Sequence, residues 1–527
     1  MARLRSIGVT ALNELTAPQP DDEAGPVETD PRALARRLAR PVAWGLLATV
    51  AITYGASQVG SPFTLKLPGA WFFGIPSITT PPGREMLLSL VASYGGMFLL
   101  LRAWYALLQA TSPSRGGRAV PIAALAAVAV IWVAPLLLAP PLFSQDAYSY
   151  AAQGQMVTQG IDPYVHGPDA LGPNSPYYPL VDQLWGAAPA PYGPVFMGID
   201  AEINSVVGHH VLAAVVGLRL LSLLGVALLA MALPSIARSL RRDPAVVFVL
   251  AVLNPVTLLH LIAGAHNDAL MLGLLASGVA LSLRRRPVWA VVLCSLAAAV
   301  KVPAALGIVY VGWHWLGPEA NWRERVRPVV TSGLIAGALV GVITAATGLG
   351  WGWAMALDNP SVVRSATDPV TAVGMALGSI THLMHLPIGV TGMLHVTRTL
   401  GLLLAVSIGV WLLFNSTRIG MVKALGLSLL AVVVLGPVVQ PWYLAWGIVM
   451  LAPVATGRWR RLVVGVTVVG SLIGFPGGHL LLDQLGRANV WSMLFALAVL
   501  MVIVVPPFVG PVRRLVATLH PSPAPAR

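Results

Sequence analysis

One cysteine in 527 residues is too few for a disulfide framework or a cysteine-based metal site. Cys294 stands inside the apolar stretch 291–300. Charge is scarce as well: Asp, Glu, Lys and Arg make up 10% of the chain, against 56% hydrophobic residues and a mean hydropathy of +0.77. Soluble domains carry about 25% charged residues, so a string of soluble domains is excluded. Acids are the scarcer sign, 20 against 33 Lys and Arg, which leaves a net charge of +13. A nucleic-acid binder would gather that excess on a polar domain. Beyond residue 40 no polar stretch is long enough to fold as one, so no nucleic-acid partner is expected. Residues 1–40 mix charge with Pro and Gly and lack the compact apolar core and cleavage site of a signal peptide. They read as a retained, disordered cytoplasmic tail, with 511–527 as a second tail.

What the sequence does have is apolar runs. A spanning helix needs about 20 mostly apolar residues, because lipid cannot satisfy a bare backbone. Runs fall at 42–60, 85–108, 119–142, 209–236, 245–262, 267–283, 288–301, 302–316, 329–349, 396–414, 424–438, 442–455, 462–475 and 490–508. They predict an all-α polytopic membrane protein with about fourteen transmembrane helices in one membrane domain, 41–510. Two pairs of runs are broken at Lys301-Val302-Pro303 and at Gln440-Pro441, where proline removes a helix donor and a turn is expected.

Lys and Arg accumulate on the cytoplasmic side of membrane proteins, and with both termini inside, 26 of the 33 fall on inner segments. The basic excess is therefore topogenic. The rule leaves over Lys66, Arg84, Arg219, Lys301, Arg364, Arg398 and Arg487. Arg219, about ten residues into its helix, should face the protein interior, since an unpaired charge at the bilayer centre costs roughly 2.5 to 3.5 kcal/mol.

This threading leaves two long outer loops, 143–208 and 350–395. The first holds Asp146, Asp162, Asp169, Asp182, Asp200 and Glu202 among aromatic residues and prolines, a composition suited to carbohydrate, whose hydroxyls carboxylates accept and whose rings aromatic faces cover. Asp146 stands in Phe143-Ser-Gln-Asp146-Ala-Tyr148-Ser-Tyr150, where the third crossing leaves the lipid. A helical stripe at Ala147, Tyr150, Ala151, Gly154 and Val157 follows it and predicts an amphipathic juxtamembrane helix. Two readings stand: a carboxylate held at headgroup depth for chemistry, or a first-turn acid and Ser144 that merely cap the helix.

Taken together, Ser-Gln-Asp146-Ala-Tyr148-Ser-Tyr150, Gly160-Ile-Asp162-Pro-Tyr164, Pro191-Tyr192-Gly-Pro, Gly264-Ala-His266-Asn267-Asp268, Lys301-Val-Pro303 and Gln440-Pro-Trp442-Tyr443 resemble the GT-C glycosyltransferases. More narrowly, they resemble the mycobacterial and corynebacterial alpha-1,6-mannosyltransferases that use polyprenyl-phosphate mannose to build lipomannan. The resemblance covers residues 40–510. It implies a GT-C fold in the plasma membrane with its site on the extracytoplasmic face, a polyprenyl-phosphate mannose donor and a lipid-anchored mannan acceptor. It also implies that Asp146 is the base that takes the acceptor 6-hydroxyl proton during an inverting transfer.

The leaving phosphate needs cationic or hydrogen-bonding help, and Lys301, Arg364, Arg398 and His266 are the candidates. Lys301 can equally snorkel to the interface, and Arg364 can be an ordinary exposed charge. Tyr148, Tyr150, Asp162, Tyr164, Tyr192, Asn267, Asp268, Gln440, Trp442 and Tyr443 are candidate sugar or acceptor contacts. For Asn267 and Asp268 the alternative is helix capping; for Trp442 and Tyr443 it is interfacial anchoring. His209-His210 and His382 with His385 have no evident third ligand, so neither a metal nor a cofactor is expected. A secondary transporter or a lipid-linked sugar flippase is the competing class.

Overall fold

The computed structural model describes residues 26–61, 71–112, 118–356, 363–365 and 368–472. Among them the chain is helical, with one isolated bridge between Val27 and Ala119. Helix α1, Pro31–Ala56, starts inside the segment expected to be a disordered tail. Its start is set by Asp30, which accepts the Arg32 N–H, and by Pro31 at the first helical position. Residues 1–25 lie outside the described residues. Helix α2, Glu85–Thr111, runs antiparallel to α1: Arg37 near the start of α1 donates to the Ala110 carbonyl, and Gly55 near its end lies against Ser89 and Ser93. Helix α3, Ile122–Leu136, closes on α1 by laying Trp132 over Gly45, where any side chain would collide with the indole.

The connection after α3 carries α4, Asp146–Thr158, and α5, Pro194–Val207. Then come α6, Val211–Ser239, and α7, Pro244–Ala251, followed by a π-helical turn, Thr257–Ala263, and α8, Asp268–Leu283. The run expected at 245–262 is thus two elements. Pro255 cannot continue α7, and Asn254 accepts the Val256 N–H to start the next turn. The π turn and α8 are bent by 113° across the break 264–267. Helices α9, Pro287–Val300, and α10, Ala305–His314, are separated at Lys301-Val302-Pro303 as expected. Asn321 and Glu324 form a reciprocal cap for α11, Trp322–Thr347.

The second long connection is not simply a loop. It contains α12, Pro369–Leu383, and the first turns of α13, Val390–Ile419. Helices α14, Met421–Leu435, and α15, Leu444–Leu451, flank the turn at Pro441–Tyr443, and α16 is Gly457–Leu472.

Four described helices, α2, α6, α11 and α13, are long and apolar enough to cross a membrane alone, and the bent π–α8 pair makes a fifth if counted as one span. Several others are apolar but shorter. The expected run 490–508 and the tail 511–527 lie outside the described residues. α11 and α13 expose Leu334, Val342, Leu400 and Leu403, surface that water would penalise and lipid accepts. α7, the π turn, the first turns of α8 and α15 are buried on every face and form the centre of the molecule.

Candidate active site

The chain reaches Asp146 through a segment pinned from below. Arg219 on α6, 3% exposed, donates to the carbonyls of Leu137 and Ala139 at 3.2 and 2.6 Å and to that of Ala263 at 2.9 Å. Ser222, one turn on, donates to the His266 carbonyl at 3.2 Å. The Leu142 N–H also donates to Ala263, at 3.2 Å. The segment leading to Asp146 and the segment leading to His266 are therefore held by one guanidinium. The guanidinium reaches the two segments from different nitrogens, Nη1 to Leu137 and Ala139 and Nη2 to Ala263, which the single nitrogen of a lysine does not reproduce. Arg219→Lys should keep the charge but lose two of the three bonds. Amide exchange is expected to quicken in peptides covering 137–147 and 260–268 while α1 and α2 stay protected. Unchanged exchange in both peptides would remove Arg219 from this role.

Each segment turns through a left-handed non-glycine residue just before its functional side chain, Phe143 (φ 64°) and Ala265 (φ 56°). Such conformations cost about 1–3 kcal/mol and persist where surrounding structure enforces them. The Ser144 hydroxyl accepts the Asp146 N–H at 3.0 Å, a local bond just ahead of α4, whose N-cap residue Gln145 makes no side-chain capping bond. The carboxylate lies 3.7 Å from His266 Nδ1. Burial pushes its pKa up to about 6, against the pull of Ser144 and of the Lys301 ammonium. His266 is stacked on Trp442 at 3.8 Å, and its Nδ1 lies 3.4 Å from the Tyr150 hydroxyl.

Lys301 is extended (φ −153°, ψ 123°) at the α9–α10 break. Its ammonium donates to Asp268 Oδ2 at 2.8 Å, and the Trp446 indole N–H donates to Asp268 Oδ1 at 2.6 Å. The faces of Tyr443, Trp446 and Tyr192 surround the ammonium at 4.6, 5.7 and 5.8 Å. Tyr192 is brought there by Gly193, whose N–H donates to the Val300 carbonyl at 3.2 Å. A Cβ on Gly193 would collide with the Ala299 carbonyl oxygen. Gly193→Ala should therefore displace Tyr192 and the Lys301 break at a cost of about 1–3 kcal/mol, read as a lower unfolding temperature.

Asp146, Lys301 and the aromatic residues around it face one cavity of about 260 Å³. Asp146, Ser149, Gln153, Lys301 and Gln440 supply its polar lining, and Trp185, Tyr192, Trp442, Tyr443 and Trp446 its aromatic lining. Val432, Val433, Gly436, Pro437 and Val438, at the end of α14 and just beyond, form a wall without a charged or hydrogen-bonding side chain. An acid, an ammonium and an apolar wall around one space suit a substrate with a reacting hydroxyl, an anionic group and a hydrocarbon tail. Among the described residues no three His, Cys, Asp or Glu side chains gather to hold a metal.

The family model described as "Alpha-(1->6)-mannopyranosyltransferase, N-terminal domain" matches residues 42–317, and the MptB C-terminal domain matches 370–506. The chain belongs to the alpha-(1->6)-mannopyranosyltransferase family. Within this family, the chain is 33% identical over 494 residues to a Mycolicibacterium smegmatis protein named "Probable alpha-(1->6)-mannopyranosyltransferase", covering 86% of each chain. It is 33% identical over 503 residues to alpha-(1->6)-mannopyranosyltransferase B of Corynebacterium glutamicum, covering 89% of this chain and 82% of the relative. It is 32% identical over 441 residues to alpha-(1->6)-mannopyranosyltransferase A of Mycobacterium tuberculosis, covering 79% and 81%. No solved structure matches the chain.

For this family member, the structure gathers part of the expected site. Asp146, Tyr192, Lys301, Gln440, Trp442 and Tyr443 line the cavity; His266 and Tyr150 stand directly behind Asp146, and Asp268 behind Lys301. The others do not line it. Arg364 is exposed, 3.5 Å from the Thr391 hydroxyl, and Arg398 binds the Thr371 hydroxyl and the Val363 carbonyl, joining α12 to α13. Asp162 accepts the Tyr164 N–H in a local turn, and Tyr164 packs against Gly352. Tyr148 is buried away from the cavity lining. Asn267 is buried and makes no side-chain capping bond, so the capping expected of it is absent.

Helix α4 is present, yet Ala147 to Met156 are all buried, so it is enclosed by protein rather than amphipathic at an interface. Gly154 allows this, because a Cβ there would collide with Asp200 and Asn204 of α5. Snorkelling of Lys301 is ruled out by its pairing with Asp268. Sequence reasoning missed Ser149, Gln153, Trp185 and Trp446. Ser149 and Gln153 were signalled by their offsets of three and seven from Asp146, which place all three on one helix face.

Proposed function

We propose that this enzyme transfers mannose from polyprenyl-phosphate mannose to the 6-hydroxyl of a lipid-anchored alpha-(1->6)-mannan, with inversion, on the extracytoplasmic side of the plasma membrane. One observation carries the reading: the Asp146 carboxylate and the Lys301 ammonium line a single cavity together with the apolar stretch 432–438. The names of the relatives support mannosyl transfer. The acceptor oxygen forms its bond to the anomeric carbon as the bond from that carbon to the phosphate oxygen breaks. Its proton passes to Asp146, and the polyprenyl phosphate leaves as an anion. Attack opposite the leaving group turns a beta-linked donor into an alpha-mannoside. Lys301 has three N–H donors and spends one on Asp268. The paired ammonium is therefore fixed in place and offers hydrogen bonds to the departing phosphate. The apolar residues 432–438 give the first isoprene units a wall. Residues 41–510 act as one membrane domain in this reading, with both termini cytoplasmic.

The broken helices at 301 and 440 also suit a transporter, and one experiment separates the two. Purified protein in detergent, with polyprenyl-phosphate mannose and a short alpha-(1->6)-mannoside, should lengthen the mannoside with no ion gradient present. No transfer in detergent, together with gradient-driven sugar uptake in proteoliposomes, would replace the enzyme with the transporter.

A further inference from the structure

Helix α4 presents more than its acid to the cavity. Asp146, Ser149 and Gln153, at i, i+3 and i+7, line it from one face of the helix. Ser149 and Gln153 are each 4% exposed, and neither Ser149 Oγ nor Gln153 Oε1 has a hydrogen-bond partner among the described residues. Leaving a buried polar atom without a partner is unfavourable, so two on one cavity wall point to a polar ligand that meets them. Trp185, half-buried, lines the same cavity from a short helical turn, Gln183–Trp185. Asp182 caps that turn by accepting the Leu184 N–H at 2.9 Å. Hydroxyl partners on one wall and an aromatic face on a capped turn are what a pyranose ring asks of a protein.

We propose that Ser149, Gln153 and Trp185 form the subsite for the terminal hexopyranose of the acceptor. This rests on the function proposed above and assigns the two ends of the cavity. Attack must come from the side of the anomeric carbon opposite the phosphate. Lys301 and the apolar wall take the phosphate and its tail, which leaves the Asp146 helix to the incoming sugar. Its ring lies against Trp185, its secondary hydroxyls donate to Ser149 Oγ and Gln153 Oε1, and its 6-hydroxyl is thereby turned toward Asp146.

The test measures donor and acceptor kinetics separately for Ser149→Ala, Gln153→Ala and Trp185→Ala, with polyprenyl-phosphate mannose and an alkyl alpha-(1->6)-mannobioside. Each hydrogen-bond variant should raise the acceptor KM roughly three- to tenfold, and Trp185→Ala about tenfold, while the donor KM stays at the wild-type value and certifies the fold. Acceptors lacking one secondary hydroxyl provide a second measurement. The deoxy-sugar that wild type penalises should cost Gln153→Ala or Ser149→Ala nothing further. An unchanged acceptor KM, a rise in the donor KM instead, or an undiminished deoxy penalty in both variants overturns the subsite. Absence of any transfer by wild type strikes the proposed function itself, a different result.

Discussion

Asp146→Asn should lower the transfer rate by about 10²- to 10⁴-fold, the usual contribution of general-base catalysis, while the protein folds and binds donor as before. The substitution keeps shape and volume. The backbone N–H at 146 still reaches the Ser144 hydroxyl, so the helix start survives. Only the ability to take a proton is lost. A flippase or scaffold would tolerate the change. The expected outcome is a melting temperature and donor affinity close to wild type with turnover near background, measured as mannoside lengthening in detergent. Wild-type turnover in the variant would exclude Asp146 as the base.

The same carboxyl sets a pH dependence. Burial holds its pKa near 6, above the ordinary value of 3.8, and the base must be ionised to work. Wild-type kcat/KM is therefore expected to be flat above about pH 6 and to fall tenfold per unit below it, not below pH 4 as for an exposed aspartate. That limb should be missing from the residual activity of Asp146→Asn.

The second large effect concerns the pair behind the cavity. Lys301→Ala leaves Asp268 charged and buried with only the Trp446 N–H and the start of α8 for support. Breaking a buried pair from one side costs about 3–5 kcal/mol, so the unfolding temperature should drop sharply. Lys301→Met combined with Asp268→Asn removes both charges and leaves the Trp446 N–H an acceptor. It should recover most of that stability without recovering turnover, because the donors proposed for the phosphate are gone. A stable double variant that transfers mannose at the wild-type rate would make the pair purely structural.

These results depend on residues that a sequence reader meets far apart. Asp268 and Lys301 are 33 positions from each other, and the sequence offers each alone, one as a sugar contact or helix cap and one as a phosphate-binding or snorkelling cation. What joins them is the bend before α8 and the break after α9, both within the core. The Lys301 and Gln440 breaks were legible because proline acts on its own neighbours. Arg364 and Arg398 were drawn into the site only because the topology rule left their charge unexplained; a conformation that ties α12 to α13 gives no signal of its own. The stripe after Asp146 is helical as its spacing predicts, but protein rather than an interface covers it. Periodicity reports which residues share a face, not whether lipid, water or another helix covers it. Ser149 and Gln153 were on the page as offsets of three and seven, hidden because a polar face of a loop helix looks like a solvated one.

By itself the sequence determined the solvent this chain folds in, its helical class, its proline breaks and the family it resembles, since composition, local backbone chemistry and motif order are properties of the chain. Tertiary structure alone decided which charges meet. Whether a cation is paired, stacked or exposed depends on groups brought within a few ångströms by packing, and burial then sets the strength of each interaction and the proton affinity of Asp146.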